Sequence, residues 1–536
     1  MNPKPKNKSN INHSTSLMKY CLGLFCLISL QCLVNCTGDR KETKLPNIIY
    51  VLADDLGYGD ISAFNENSKI NTPNIDRLAS EGIKFTDAHT SSAVCSPTRY
   101  GILTGRYSWR SRLKSGVLEG NSKALIPATR TTVASMLKQR NYHTAFMGKW
   151  HLGWDWASKN IQKEGDNPSK IDFDNIDYAS PITHSPNEVG FDYAYGHAAS
   201  LDMSPYVYVE NGKVTALPDT TTVNTGKYSW WREGPTASDF DHADVTPNFF
   251  RRAIAHIKQR AKEDQPFFLY LALPSPHTPI LPTKEWQDKS GLNPYADFVM
   301  MIDDYMGQLM TAVKEAGIEG NTLLIFTSDN GCAPYAGTDE LEEKGHYPSY
   351  KFRGYKADIF EGGHRVPFIA RWPGTIQKGI VSDETICSTD LMATCAEIIG
   401  YALADSEAED SYSLLPLFYQ QSSDHPLREA TIHHSVNGSF AIRKAEWKLI
   451  MCPGSGGWSF PKPDDYAAID TLPKIQLYNL MEDPAETTNL EATHTEKVAE
   501  LKALLTKYIR DGRSTPGFPQ QNDAIESDWS QVDFIN

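Results

Sequence analysis

The run Asn47-Ile48-Ile49-Tyr50-Val51-Leu52-Ala53 is aliphatic and β-branched without interruption, and two carboxylates, Asp54 and Asp55, follow it directly. A run with no polar alternation predicts a strand buried on both faces, as in a parallel sheet covered by helices. The pattern recurs. Thr144-Ala145-Phe146-Met147 leads into Gly148-Lys149-Trp150-His151-Leu152-Gly153, and Phe267-Phe268-Leu269-Tyr270-Leu271-Ala272 leads into Pro274-Ser275-Pro276-His277. Leu323-Leu324-Ile325-Phe326-Thr327 ends in Ser328-Asp329-Asn330-Gly331. Helices are predicted between these strands, from Thr72-Pro73 to Ser80, near Val133 to Gln139, from Phe249 to Lys262 and from Asp297 to Ala316. Open α/β sheets bind ligands beyond the carboxyl ends of their strands. Asp54, Asp55, Lys149, His151, His277, Asp329 and Asn330 are therefore expected to converge although they are far apart in sequence.

Working outward, Asp155 to Thr246 is irregular and reads as long loops, with a short hairpin around Tyr206 to Leu217. Trp230, Trp231, Arg232, His197 and Asp202 in this stretch either form a sugar platform or belong to the core of the loops. Phe352-Arg353-Gly354-Tyr355-Lys356 and Phe360-Glu361-Gly362-Gly363-His364-Arg365 lead into a strand from Phe368 to Trp372. His364 and Arg365 either touch substrate or brace the loop after Lys356. Beyond a helix from Leu391 to Ile399, a polar stretch through Ser413 reads as a linker. Short alternating segments near Ala430 to His434, Phe440 to Arg443, Trp447 to Met451 and Gln476 to Leu480 then predict antiparallel strands, with a helix from Glu496 to Arg510 laid on them. The expected architecture is α/β: a large mixed, mostly parallel sheet sandwiched by helices over residues 45–423, and a smaller α+β domain over 424–536.

With 536 residues, 40% of them apolar, the chain can bury a large core. Its net charge of -14 argues against the broad basic face that a nucleic-acid backbone requires. Of nine cysteines, Cys21, Cys26, Cys32 and Cys36 lie in the first 36 residues, so a disulfide framework is not indicated. Cys387 and Cys395 either pair or stay apart, with Cys395 buried by its helix. Lys4, Lys6, Lys8 and Lys19 precede Leu22-Gly23-Leu24-Phe25-Cys26-Leu27-Ile28-Ser29-Leu30, a run too short to span a bilayer that reads as the core of an export signal. The signal over residues 1–36 ends in Leu33-Val34-Asn35-Cys36, similar to a bacterial lipobox with Cys36 as the lipidated residue. Asn35 stands where a small residue is usual, which leaves plain signal cleavage open. Residues 37–44 read as a tether, and no later run is long and apolar enough to cross a membrane, so the expected location is the cell envelope, lipid-anchored or periplasmic.

Val94-Cys95-Ser96-Pro97-Thr98-Arg99, continued by Tyr100-Gly101-Ile102-Leu103-Thr104-Gly105-Arg106, carries the chemistry. Pro97 suits the first position of a helix with Ser96 as its cap, which sets Cys95 just before an amino end that favours anions, with Arg99 about a turn away. The spacing Cys-x-Pro-x-Arg, then Thr-Gly, resembles the signature of the type I sulfatases, of alkaline-phosphatase-like fold. The resemblance extends over nearly the whole mature chain, including Leu477-Tyr478-Asn479-Leu480 and Asp483-Pro484-Ala485-Glu486. It implies that Cys95 is oxidised by a maturase to formylglycine (3-oxoalanine). It also implies that Asp54, Asp55, Asp329, Asn330 and residue 95 hold one Ca²⁺, and that the reaction is hydrolysis of sulfate esters. Two aspartates and an Asp-Asn pair are hard oxygen donors that suit Ca²⁺ or Mg²⁺. A sulfate ester gains negative charge at its leaving oxygen, a task for Arg99, Lys149 and Lys356. Asp329 is expected to accept the nucleophile's proton and His277 or Lys356 to protonate the leaving alcohol, and the resemblance implies that His151 is the base that regenerates the aldehyde. The expected substrates are sulfated carbohydrates. A formylglycine-dependent phosphonate monoester or phosphodiester hydrolase and a non-catalytic carbohydrate-binding lipoprotein are the alternatives.

Overall fold

In a computed structural model that describes residues 44–161, 167–421, 424–523 and 529–535, the stretch opening with Asn47 forms strand β1 (Asn47–Asp54), buried at every position. The export signal, Cys36 and all of the tether but Lys44 lie outside the described residues. Three more strands, β2 (His143–Lys149), β3 (Phe267–Pro276) and β4 (Thr322–Ser328), lie beside it in the order β4-β1-β3-β2, all parallel. Ile49 stands level with Leu269 on one side and Leu324 on the other, so four aliphatic runs stack in register. Ten strands complete the sheet. Phe368–Arg371, Ile83–Phe85 and Ile380–Ser382 extend it beyond β4, and Tyr193–His197, Val209–Glu210 and Lys213–Val214 beyond β2.

Both faces are covered, as a sheet without polar alternation requires. Helices Pro73–Ser80, Val245–Arg260 and Pro294–Glu315 pack on one side. Helices Cys95–Thr104 (α1), Val133–Lys138 and Leu391–Ile398 pack against one another on the other side. Local chemistry sets the helix starts: Asn293 accepts the amide of Ala296 at 3.1 Å, and Thr132 that of Ser135 at 3.1 Å.

The strands Thr431–His434, Phe440–Lys444, Trp447–Ile450 and Gln476–Asn479 form an antiparallel meander. Helix Thr495–Arg510 lays Leu501, Leu505, Tyr508 and Ile509 over Ile432, Phe440, Ile442, Leu449 and Leu477. Tyr107 and Trp109, just beyond α1, enter this second core, and Pro46–Asn536 forms one compact unit. The polar stretch that reads as a linker is packed instead. Asp410 is fully buried and takes two bonds of 2.8 Å from Arg110, and Glu409 pairs with Arg106 and Arg130. Its polar residues answer buried guanidinium groups, which composition alone does not reveal.

The short hairpin is present as Val209–Glu210 and Lys213–Val214, and a second, unforeseen one pairs Pro218–Asn224 with Trp231–Ala237. Pro-Asp-Thr-Thr-Thr-Val-Asn lies mostly exposed and lacks the apolar alternation that marks a half-buried strand. Cys387 and Cys395 are free thiols, both buried. Among the described residues, no helix is long and apolar enough to cross a membrane.

Candidate active site

Helix α1 begins two positions earlier than the motif suggests. Val94 is the cap and Cys95 the first helical residue, because the Ser96 hydroxyl accepts the Leu118 amide at 3.1 Å and makes no cap. Gly105, at φ 62°, ends the helix in the left-handed conformation that glycine tolerates best. Cys95 lies beside the carboxyl ends of β1, β2 and β4, with its Sγ 3.6 Å from Asp54 Oδ1.

The strand-end residues meet there. Lys149 Nζ donates to Asp54 Oδ2 at 2.5 Å, and Arg99 sends Nε and Nη2 to Asp329 Oδ2 at 3.0 and 2.7 Å. Arg99 also donates Nη1 to the Lys149 carbonyl at 3.0 Å, so its fork locks two strand ends together. Asp55, held at φ 65°, accepts Lys356 Nζ at 2.8 Å, the Asn330 amide at 2.7 Å and the Tyr335 hydroxyl at 2.8 Å. Burial raises the Asp54 carboxyl, but Lys149 and the neighbouring cations more than offset this and hold it well below the usual carboxylate range. Burial and the charge of Asp54 push Asp329 up to about 7. Burial pushes the Cys95 thiol up to about 12, against the pull of Lys149 and Lys356.

A cavity of about 380 Å³ opens over Cys95. His151, His277 and Lys356 line it, with Asp202, Arg232 and Trp230 from the long loops and Tyr335 and Trp458 at its side. His151 Nε2 donates to the Leu118 carbonyl at 2.7 Å, and its Nδ1 is buried without a hydrogen-bond partner. His277 is the mirror case. Its Nδ1 donates to the Thr278 carbonyl at 2.6 Å, leaving Nε2 3.1 Å from the Tyr335 hydroxyl. Asp202 takes Arg232 at 2.7 Å through Oδ2, and its buried Oδ1 makes no hydrogen bond.

Of the residues read as possible substrate contacts, four do not line this cavity. His197 is buried against Phe249, and Trp231 stacks on His242 with ring centroids 4.0 Å apart. His364 and Arg365 belong to a buried network with Asp87, His89, Glu361, His433, Arg443 and Lys448, where they brace the loop after Lys356. Tyr335 and Trp458, conversely, carry no sequence signal. Tyr335 follows a Cys-Ala-Pro loop, and Trp458 comes from a Gly-Ser-Gly-Gly segment of the carboxy-terminal part.

The oxygen donors here, the carboxylates of Asp54 and Asp55 and the amide oxygen of Asn330, fit a hard divalent cation. Ligand atoms of Asp54, Asp55, Cys95 and His277 lie within 4.8 Å of one another, and Asn330 Oδ1 is buried without a partner beside them. The cluster His89, His364 and His433 is as tight, but three imidazoles are not the oxygen donors that a hard cation needs, and Arg443 and Lys448 already occupy nitrogens of His89 and His364 at 2.8 and 3.0 Å.

The sulfatase family model matches residues 46–401. The chain is 33% identical over 513 residues to an N-acetylgalactosamine-6-O-sulfatase of Bacteroides thetaiotaomicron, covering 87% of this chain and 93% of that one. It is 32% identical over 460 residues to human arylsulfatase A, covering 83% of each. A solved structure from glycosaminoglycan metabolism in Bacteroides thetaiotaomicron superposes with a TM-score of 0.75 at 31% identity, over 87% of this chain and 99% of that one. The PsFucS1 sulfatase of Pseudoalteromonas shares the fold, at a TM-score of 0.67 and 23% identity, over 93% of this chain and 96% of that one. Since the matched segment contains the Cys-x-Pro-x-Arg helix and all four strand ends around it, the chain belongs to the formylglycine-dependent sulfatases of the alkaline-phosphatase superfamily and is a sulfuric ester hydrolase.

Proposed function

We propose that this enzyme removes sulfate from sulfated polysaccharides or their oligosaccharides, with residue 95 as nucleophile after maturation to formylglycine. The observation that carries the reading is the cavity itself: Cys95 at its floor beside Lys149 and Lys356, with indole rings of Trp230 and Trp458 at its wall. Aromatic faces suit the apolar side of a sugar ring, and the open Oδ1 of Asp202 suits a sugar hydroxyl. A thiol pushed up to about 12 is protonated at neutral pH and a poor nucleophile, which favours a matured residue 95. Formylglycine supplies a hydrated aldehyde, with one hydroxyl to attack sulfur and a second from which the aldehyde is restored.

Asp54, Asp55, Asp329 and Asn330, with residue 95, would hold Ca²⁺, which supplies positive charge against the sulfate oxygens. Arg99, Lys149 and Lys356 orient the sulfate and offset the charge that develops on it. Asp329 accepts the attacking proton. His151 serves as the later base, since donation from Nε2 to the Leu118 carbonyl leaves a lone pair on Nδ1. Lys356, or His277 once it carries a second proton on Nε2, protonates the leaving alcohol, and Tyr335 holds the two together at 3.1 and 2.9 Å. The amino-terminal segment supports export with a lipid anchor on Cys36, and the Cys95 motif supports a maturase as partner.

Relatives named for N-acetylgalactosamine 6-sulfate make 6-sulfated amino sugars the first substrates to test. Matured enzyme is assayed on a panel of sulfated oligosaccharides, an aryl sulfate and an aryl phosphodiester, before and after chelation. Sulfate release from one sugar position, lost with chelator and restored by Ca²⁺, is expected. Faster turnover of the phosphodiester would favour the phosphonate or phosphodiester hydrolase, and binding without turnover a non-catalytic lipoprotein.

A further inference from the structure

His143 opens β2 and Lys149 closes it, so the two lie roughly 20 Å apart along the strand. Beside β2, from His143 to Met147, is a second cavity, of about 290 Å³, whose polar lining is His143, Tyr193, Arg252, His256, Gln259 and Arg260 and which shares no residue with the catalytic cavity. No carboxylate lines it, in a protein whose net charge is -14. Arg260 donates to the neutral Gln265 Oε1 at 2.8 Å, and its Nε makes no hydrogen bond. Arg252 lies 3.6 Å over the Tyr195 ring and donates to the Tyr193 hydroxyl at 3.2 Å, with Glu210 3.6 Å away. The rings of His143 and His256 are 5.3 Å apart, and His143 Nδ1 and His256 Nε2 are buried without hydrogen-bond partners.

We propose that this cavity is an accessory site for the sulfate group of a sulfated carbohydrate, separate from the catalytic cavity. A tetrahedral oxyanion accepts several hydrogen bonds at once, which two guanidinium groups and two imidazoles supply together. Burial and the neighbouring cations hold both imidazoles below their ordinary value, with His256 near 4. Asp192 and Lys138, the other charges beside His143, pair with each other at 2.6 Å. A bound anion offsets the repulsion from the neighbouring cations, though not the burial, and so raises both imidazoles. The carbohydrate as bearer of the sulfate rests on the sulfatase reading above.

The test uses the full chain carrying Cys95→Ala, with ¹³C-labelled histidine, titrated with sodium sulfate, a sulfated disaccharide and the same disaccharide without sulfate. The His143 and His256 resonances should move with the first two ligands and not the third, and Arg260→Ala or Arg252→Gln should suppress the movement. In matured enzyme, Arg260→Ala should leave aryl sulfate turnover unchanged and raise KM for sulfated oligosaccharides several-fold. No movement with any ligand, equal movement with the unsulfated sugar, or a response to sodium sulfate only, meaning an adventitious ion only, overturns the proposal. A parent enzyme inert on aryl sulfate and on every sulfated oligosaccharide would instead overturn the catalytic reading.

Discussion

His151 and His277 are buried imidazoles on one cavity wall, yet their hydrogen bonds free opposite nitrogens, Nδ1 in the first and Nε2 in the second. Nε2 of His277 lies beside Tyr335 and Lys356, the side assigned to the leaving alcohol. A sugar alkoxide needs a proton as it leaves and a phenolate needs far less, so His277→Ala should lower turnover of sugar sulfates by roughly 10²-fold or more and of aryl sulfates much less. Steady-state rates on both substrate classes check this, and equal losses would pass the role to Lys356. The strand-end residues were legible because an aliphatic run that stops at a charge is a local signal. Tyr335 was not. Only the folded chain brings its hydroxyl to 2.8 Å from Asp55 and 2.9 Å from Lys356.

The loop that carries Trp458 shows the same limit for a whole element. Asp358 accepts the amides of Trp458 and Ser459 at 2.8 and 3.0 Å and the Ser459 hydroxyl as well, across a hundred residues of sequence. Asp358→Ala removes these bonds, worth about 1 kcal/mol each, and frees the indole. KM for oligosaccharides should rise several-fold while aryl sulfate turnover changes little, with a modest loss of thermal stability. Kinetics and a melting curve test this, and an unchanged KM would remove Trp458 from the substrate wall. The parallel strands and their helices were readable from periodicity and caps. The start of α1 was displaced by two residues because Leu118 claims the Ser96 hydroxyl, a contact between segments. The packed stretch before Ser413 was misread because its ion-pair partners, Arg106, Arg110 and Arg130, lie about 280 to 300 residues earlier.

Across the molecule, burial leaves several histidines neutral: His197 and His434 are held down to about 3 and His242 to about 4. The unfolded chain takes up these protons near pH 6.5 and the fold does not. Their contribution to stability is therefore complete above about pH 6.5 and is lost as pH falls towards 3 or 4. At pH 5 each costs about 2 kcal/mol. Asp329 and Glu486, pushed up to about 7, act in the opposite sense, so a single substitution isolates the imidazole term. His434→Leu should lose less stability between pH 7 and pH 5 than the parent, by about that amount, and parallel denaturation profiles would contradict it. Tyr107 and Trp109, just after α1, pack in the carboxy-terminal core and so tie the helix that opens with Cys95 to that core. Residue 95 is also where the account is most exposed. The mass of the tryptic peptide Phe85–Arg99 from enzyme made with a maturase should lie about 18 Da below the cysteine form, in proportion to sulfatase activity across preparations. Full activity in a preparation whose residue 95 remains an unmodified thiol would contradict the account.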